Sequence, residues 1–147
     1  MARRSCPDCT VGAGALILWA AGILLLPLRW LLALLLAGTV HELFHMAALY
    51  LLNVPVHTVY IGFRGAYIST APMSPRQEIL ASAAGPAGSL VLILFLRFFP
   101  ELALCGLVQG LYNLLPLYPA DGGRILRCIL RPAFRKIPCN ASHLAVQ

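Results

Sequence analysis

Four long apolar stretches dominate this sequence, at residues 11–28, 30–52, 79–99 and 102–118. Several of them approach the roughly 20 residues that an α-helix needs to cross the hydrocarbon core of a bilayer. Of the 147 residues, 60% are hydrophobic and only 11% are charged, a balance far from that of a soluble domain. The sequence therefore predicts an α-helical integral membrane protein with about four transmembrane helices.

The placement of the basic residues supports this number of spans. Short loops rich in arginine and lysine stay in the cytoplasm, and with the amino terminus inside, every basic residue except Arg29 and Arg97 falls on that side. We therefore expect a multi-pass protein of the cell membrane with both termini in the cytoplasm. The net charge of +6 then reflects topology and contact with anionic lipid, and no pattern indicates nucleic acid as a partner.

Residues 53–75, between the second and third spans, have a different character. They are rich in β-branched and aromatic residues and are interrupted by Gly62 and Gly65, which predicts one or two short β-hairpins. Open sheet edges are not tolerated in lipid, so we expect these strands at the cytoplasmic interface or buried against protein. Their edge could pair with an extended segment of a substrate; a plain interfacial hairpin is the alternative.

The third and fourth spans contain features typical of helix packing and helix ends. The run of small residues at 81–89 favours close approach of another helix, and Pro86 within it should kink or loosen the third span. The fourth span is followed by Asp121 and then by an amphipathic basic segment. We expect a single membrane-embedded unit over residues 1–131 and a cytoplasmic tail over residues 132–147.

The second span contains Glu42, the one charged residue in the middle of an apolar stretch, and an ionisable group there is a functional hypothesis by default. His41 and His45, four residues apart, lie on one face of a helix and can present two imidazoles to one ion. Glu42 follows the first histidine directly, from where it can act as general base toward a water molecule. Buried polar packing is the alternative, but it would require a separate partner for each group.

A catalytic zinc ion requires three protein ligands and one open position. Of the five acidic residues, one is already assigned as the base, and three lie in flanks or loops or begin the third span. Asp121, beside two glycines that permit close approach of the backbone, is the best third ligand by elimination. His57 and His143 are the alternatives. Cys6 and Cys9 have the spacing of half a zinc knuckle, but without a second pair we interpret them as free thiols.

These features together resemble the site-2 protease family of intramembrane metalloproteases. Its members share a membrane-embedded His-Glu-x-x-His, matched here by residues 41–45, and a later Asn-x-x-Pro followed by Asp-Gly, matched between Asn113 and Gly122. The small-residue helix and the β-rich stretch also lie in the family's order, so the resemblance covers about residues 30–131. The order of elements is most similar to the branch that contains the stage IV sporulation protein FB, without that branch's nucleotide-sensing domain.

The resemblance implies a zinc metalloendopeptidase that hydrolyses a peptide bond within or near the transmembrane segment of a membrane-associated protein. By the same resemblance, His41, His45 and Asp121 would bind zinc, and Glu42 would be the catalytic acid and base. Asn113 would position the substrate or polarise the scissile carbonyl. The competing hypotheses are a non-proteolytic metal transporter or sensor that uses the same ligands, and a scaffold of the same fold that does not cut its partners. The sequence does not indicate an oligomeric state.

Overall fold

The computed structural model of the protein describes residues 8–62, 65–117 and 120–130. Most of these residues are helical, and a small sheet forms beside the helices. In chain order the elements are β1 (Asp8–Val11), α1 (Ala13–Leu25), α2 (Leu28–Leu51), β2 (Val56–Gly62), β3 (Gly65–Thr70), α3 (Pro75–Val91), α4 (Pro100–Leu114) and α5 (Asp121–Leu130).

Two helical segments are long and apolar enough to cross a bilayer among the residues described. One is α2, with 24 residues and a length of about 36 Å. The other is α3 with the short 3-10 helix that continues it, Pro75–Phe95. Helices α1 and α4 have 13 and 15 residues, about 20 and 22 Å, which is shorter than a hydrocarbon core of about 30 Å. Two of the four predicted spans are therefore long enough to cross a bilayer as single helices, and the total of four stays a prediction.

Prolines set several of these helix lengths. Pro27 separates α1 from α2, because its ring cannot continue a helix from the preceding turn. Pro116 lies just beyond the last residue of α4, Leu114. Pro86, by contrast, lies inside α3, which continues through it to Val91. The local kink or loosening predicted at Pro86 therefore does not end the helix.

The sheet contains three strands in the order β1-β2-β3. Strands β2 and β3 are antiparallel, with Val59 opposite Ile68, so the hairpin predicted between the second and third spans is present. Strand β1 pairs with β2 in parallel, with Asp8 opposite Thr58. This third strand was not predicted, since four residues ahead of an apolar stretch give no alternating pattern. The order leaves β3 at one edge of the sheet.

Small residues fill the contacts between the helices. A Cβ atom added at Gly106 of α4 would collide with the backbone oxygen of Ser89 in α3, so the two helices approach closely here. Such interfaces are typical of helices that pack in a membrane, where van der Waals contact replaces the hydrophobic effect. The predicted packing role of the small residues is borne out by the buried set on the three central helices: Ala33, Ala37, Ala81, Ser82, Gly85, Gly88, Ser89, Ala103, Gly106 and Gly110.

Large apolar side chains lie mainly on the outside of the helices. Leu24 of α1 is 85% exposed, and Leu51 of α2 and Leu94 beyond α3 are similarly open. A soluble protein rarely leaves apolar patches of such extent in contact with water. This distribution, small residues inside and large apolar residues outside, suits a surface that faces lipid.

Candidate metal centre

Three potential metal ligands from two distant parts of the chain converge at one point. His41 and His45 project from α2, and Asp121 is the first residue of α5. The Nε2 atoms of the two histidines are 3.2 Å apart, and they lie 3.3 and 3.2 Å from Oδ2 of Asp121. Within the part of the chain that the structure describes, this is the one group of three or more such residues whose ligand atoms meet.

The spacing of these atoms suits a tetrahedral zinc ion. At bond lengths of about 2.0–2.1 Å and tetrahedral angles, two ligands of a zinc ion lie roughly 3.3–3.4 Å apart. The three distances between the Nε2 and Oδ2 atoms, 3.2–3.3 Å, agree closely with that value. Three protein ligands also leave a fourth position for water or substrate, as catalytic zinc sites require.

The other ring nitrogen of each histidine is held by α3. Nδ1 of His45 lies 2.7 Å from the carbonyl oxygen of Ala81, and Nδ1 of His41 lies 2.8 Å from Oγ of Ser89. A carbonyl oxygen can only accept, so Nδ1 of His45 donates its proton there and Nε2 of the neutral ring keeps a free lone pair. Contacts of this kind fix the tautomer and the ring orientation of metal-binding histidines.

The electrostatics of the cluster call for a positive charge at its centre. His41 is 3% exposed and Asp121 is 7% exposed. Burial raises the pKa of the Asp121 carboxyl, but the hydrogen bonds that His41 and His45 donate when their Nε2 atoms are protonated, together with the charges of His45 and Arg124, outweigh it and lower that pKa to about 2. The carboxylate is therefore ionised at neutral pH. It faces Nε2 of both histidines, and Nε2 of His45 is an acceptor when that ring is neutral, so a proton or a metal ion between the carboxylate and this nitrogen is needed to satisfy both.

Glycines allow the helices to meet at this site. A Cβ atom at Gly85 of α3 would overlap the imidazole ring of His45, and one at Gly88 would overlap the ring of Phe44. At the other end of the cluster, a Cβ atom at Gly122 would collide with the backbone oxygen of Leu114, where the start of α5 meets the end of α4. The small-residue run was predicted to serve helix packing, and the structure shows that it also makes room for the imidazole ring of His45.

Sequence reasoning missed the parts that Ser89 and the carbonyl of Ala81 play. Ser82 interrupts the run of small residues and Ser89 ends it, and these two hydroxyls were the available signal. It could not indicate which serine contacts a histidine, because this depends on how α3 docks on α2. A backbone carbonyl such as that of Ala81 has no sequence signal at all.

The other predicted site residues lie around the cluster or away from it. Glu42 is half-buried and lines the same cavity as the three ligands. Asn113, in the last turn of α4, also lines this cavity, and its amide donates to the backbone oxygen of Gln109 at 3.1 Å. His57 is exposed on β2 and does not join the cluster. The other alternative ligand, His143, lies outside the described residues, as do Cys6 and the predicted tail.

The cavity that contains the cluster has a volume of about 1210 Å³. Along α2 it extends from Trp30 to Leu49, a length of about 28 Å. Its walls also include residues of α1, α4 and α5, and the end of β3 from Ile68 onward. Most of the lining is apolar. It is large enough to take an extended polypeptide segment, with the polar cluster part of the way along it.

Comparison with known proteins shows a similarity of fold to a solved structure. No protein-family model matches the sequence, and no curated protein matches it either. Among solved structures, the chain is similar to the Site-2 Protease from Methanocaldococcus jannaschii, with a TM-score of 0.69 and 23% sequence identity. The similarity covers 88% of this chain and 71% of that one. The protein thus has the fold of a site-2 protease, while the narrower resemblance to the stage IV sporulation branch stays a prediction.

Proposed function

We propose that the protein is an intramembrane zinc metalloprotease that hydrolyses a peptide bond within or near the transmembrane segment of a membrane-associated protein. The observation on which this depends is the meeting of His41, His45 and Asp121 at 3.2–3.3 Å inside a cavity that also contains Glu42. The similarity of fold to a site-2 protease supports the same conclusion.

His41, His45 and Asp121 are the residues that would hold the zinc ion. Bound there, zinc would supply a Lewis acid that polarises a carbonyl and lowers the pKa of a water molecule toward neutrality. The chain's own contribution is to fix these ligands before any ion arrives. Ser89 and the carbonyl of Ala81 hold the two imidazole rings from behind.

Glu42 and Asn113 would act on the water molecule and the substrate. Glu42 takes the proton from the attacking water and returns it to the amine that leaves, as a general base and then a general acid. Asn113 uses one amide hydrogen in its bond to Gln109, and its second is available to a carbonyl oxygen of the substrate. Both side chains line the cavity that would receive the scissile bond.

A transmembrane helix must unwind before it can be cut, because the hydrogen bonds of a helix shield its peptide groups. Unwinding exposes N–H and C=O groups that lipid cannot satisfy. Strand β3 lies at the edge of the sheet, and Ile68, Ser69 and Thr70 at its end line the cavity. We therefore propose that the unwound segment pairs with β3 as an additional strand.

We further propose a multi-pass arrangement in the cell membrane with both termini in the cytoplasm. Two helices long enough to span and the apolar outer surface support contact with the lipid bilayer. The distribution of arginine and lysine supports the orientation. On this arrangement water reaches His41 from the cytoplasmic side, along about 15 Å of α2.

The experiment that tests the proposal is cleavage of a single-span reporter by the purified protein in detergent. We expect cleavage that stops when a chelator is added, returns with zinc, and is abolished by Glu42→Gln while zinc stays bound. Undiminished cleavage by Glu42→Gln would show that another group is the base. Binding of zinc without cleavage of any reporter would favour a scaffold, and flux of zinc through vesicles that contain the protein would favour a transporter.

A further inference from the structure

Gln109 lies within α4 and has a buried acceptor with no partner. Across the described ranges, its Oε1 is the one buried side-chain oxygen or nitrogen that makes no hydrogen bond. The side chain also lines the cavity that contains the metal ligands. Leaving such an oxygen without a partner is costly, because folding has removed it from water and nothing replaces the lost hydrogen bond. The oxygen itself is covered, but the residue is only partly buried, so rotation of the side-chain amide can bring Oε1 to the cavity, where a ligand would supply the missing donor.

The spacing of Gln109 and Asn113 suits a backbone in extended conformation. The two residues are four apart on α4, and the amide of Asn113 donates to the backbone oxygen of Gln109, so both lie on one helix face, about 6 Å apart along the axis. In an extended strand, alternate peptide groups point to the same edge and repeat about every 6.7 Å. A strand along α4 can therefore place one peptide group at each amide.

We propose that Gln109 is a substrate-binding residue whose Oε1 accepts a backbone N–H of the unwound segment. This rests on the proposed function, since it assumes an extended peptide in the cavity. The segment pairs with β3 along one edge, and Gln109 and Asn113 take peptide groups on its other edge. The contact is made to the backbone, so it does not depend on which side chain the substrate has at that position. Proline is the exception: it should bind poorly there, because it has no N–H to donate.

The test is a binding measurement on the full-length protein, carried out with zinc bound and with Glu42→Gln in place to prevent turnover. The probes are synthetic, fluorescent single-span peptides, in which one backbone amide at a time is replaced by an ester. An ester removes the N–H and leaves the rest of the residue unchanged. Esters at the alternate positions whose N–H faces β3 should weaken binding through that pairing. On the opposite edge of the segment we expect one ester position to raise the Kd by roughly tenfold, the value of one hydrogen bond in a dry site.

The variant Gln109→Met removes the amide but keeps the length and helix preference of the side chain. We expect it to raise the Kd of the all-amide peptide by roughly tenfold. In this variant the ester whose missing N–H would have met Gln109 should cause no additional rise in the Kd. Leu111→Met is the matched control, because Leu111 is exposed on the same helix and does not line the cavity. Its Kd should equal that of the parent protein. Melting temperature and zinc content, measured for both, separate a lost contact from a folding defect.

The outcomes distinguish this inference from the proposed function. The inference is wrong if Gln109→Met and the parent bind the all-amide peptide equally. It is also wrong if each ester position causes the same loss of affinity in both proteins. Either result would overturn the inference even if the protein with Glu42 restored cleaves its reporter. If peptides bind with the expected pattern but are never cut, the protease proposal is wrong and the role of Gln109 stands. If no peptide binds to either protein, both are wrong. Should Gln109→Met fail to fold, the ester series on the parent decides: a series with no sensitive position on the edge opposite β3 would overturn the inference.

Discussion

Oγ of Ser89 lies 2.8 Å from Nδ1 of His41, and both residues are buried at the contact of α2 and α3. A hydroxyl in this position holds the imidazole with Nε2 directed at Asp121 and His45. Together with the hydrogen bond from His45 to the carbonyl of Ala81, this contact links the small-residue helix to the candidate metal centre. The serine therefore has a role in the site and not only in helix packing.

Replacing this serine tests that role. We expect Ser89→Ala to weaken zinc binding by roughly 10- to 100-fold, the usual effect of removing a group that orients a ligand histidine. Zinc affinity is measured by competition with a fluorescent chelator. The control is Ser82→Ala, which removes the other buried serine of α3; the hydrogen bonds of the ligand histidines to α3 go to Ser89 and to the carbonyl of Ala81 instead. Equal affinity in the two variants would show that His41 does not need the hydroxyl.

The glycine beside His45 offers a steric test of the same contact. A methyl group at Gly85 overlaps the imidazole ring of His45, so Gly85→Ala must displace the ring or separate α3 from α2. We expect a loss of zinc from the purified protein and a lower melting temperature, equivalent to about 1–3 kcal/mol of unfolding free energy. The control is Gly38→Ala in α2, where an added methyl group meets open space. That variant should be neutral or slightly more stable, because alanine favours helix over glycine.

The part of the site on α2 could be predicted from the sequence because its pattern is local. His41 and His45 are brought together by one turn of a helix, and that helix is recognised by its apolar composition alone. Asp121 could be selected because a chain with only five acidic residues leaves few choices. The hairpin could also be predicted, because β-branched residues on either side of two glycines favour two short strands joined by a turn.

The rest depends on contacts between distant parts of the chain. The pairing of β1 with β2 joins residues about 50 positions apart, and the four residues of β1 have no pattern that favours a strand. The support of His45 by Ala81 uses a carbonyl that every residue has. The lengths of α1 and α4 were overestimated because hydropathy averages over residues such as Pro27 and Pro116, which end or separate helices.

Zinc should stabilise the protein through all three ligands. A ligand that binds only the folded state at 100 times its Kd adds about 2.7 kcal/mol to the unfolding free energy. We therefore expect zinc to raise the melting temperature of the chelator-treated protein in detergent. In Asp121→Asn the rise should be lost or strongly reduced, because a neutral amide is a poor ligand for zinc. His57→Asn is the control, since His57 is exposed on β2 and should not affect the shift. A full shift in Asp121→Asn would exclude this carboxylate as a ligand.

The cavity wall provides a test of where the substrate binds that does not involve the metal ligands. Val108 and Leu111 lie on α4 and are 60% and 55% exposed, but only Val108 lines the cavity. Tryptophan at Val108 would occupy space that an extended segment needs, whereas at Leu111 it would extend away from the cavity. We expect Val108→Trp to lower kcat/KM for a single-span reporter by roughly tenfold or more, and Leu111→Trp to leave it within about twofold. Zinc content should be unchanged in both. Equal activity of the two variants would mean that the substrate reaches the His41 cluster by another path, and the assignment of this cavity as the substrate site would be wrong.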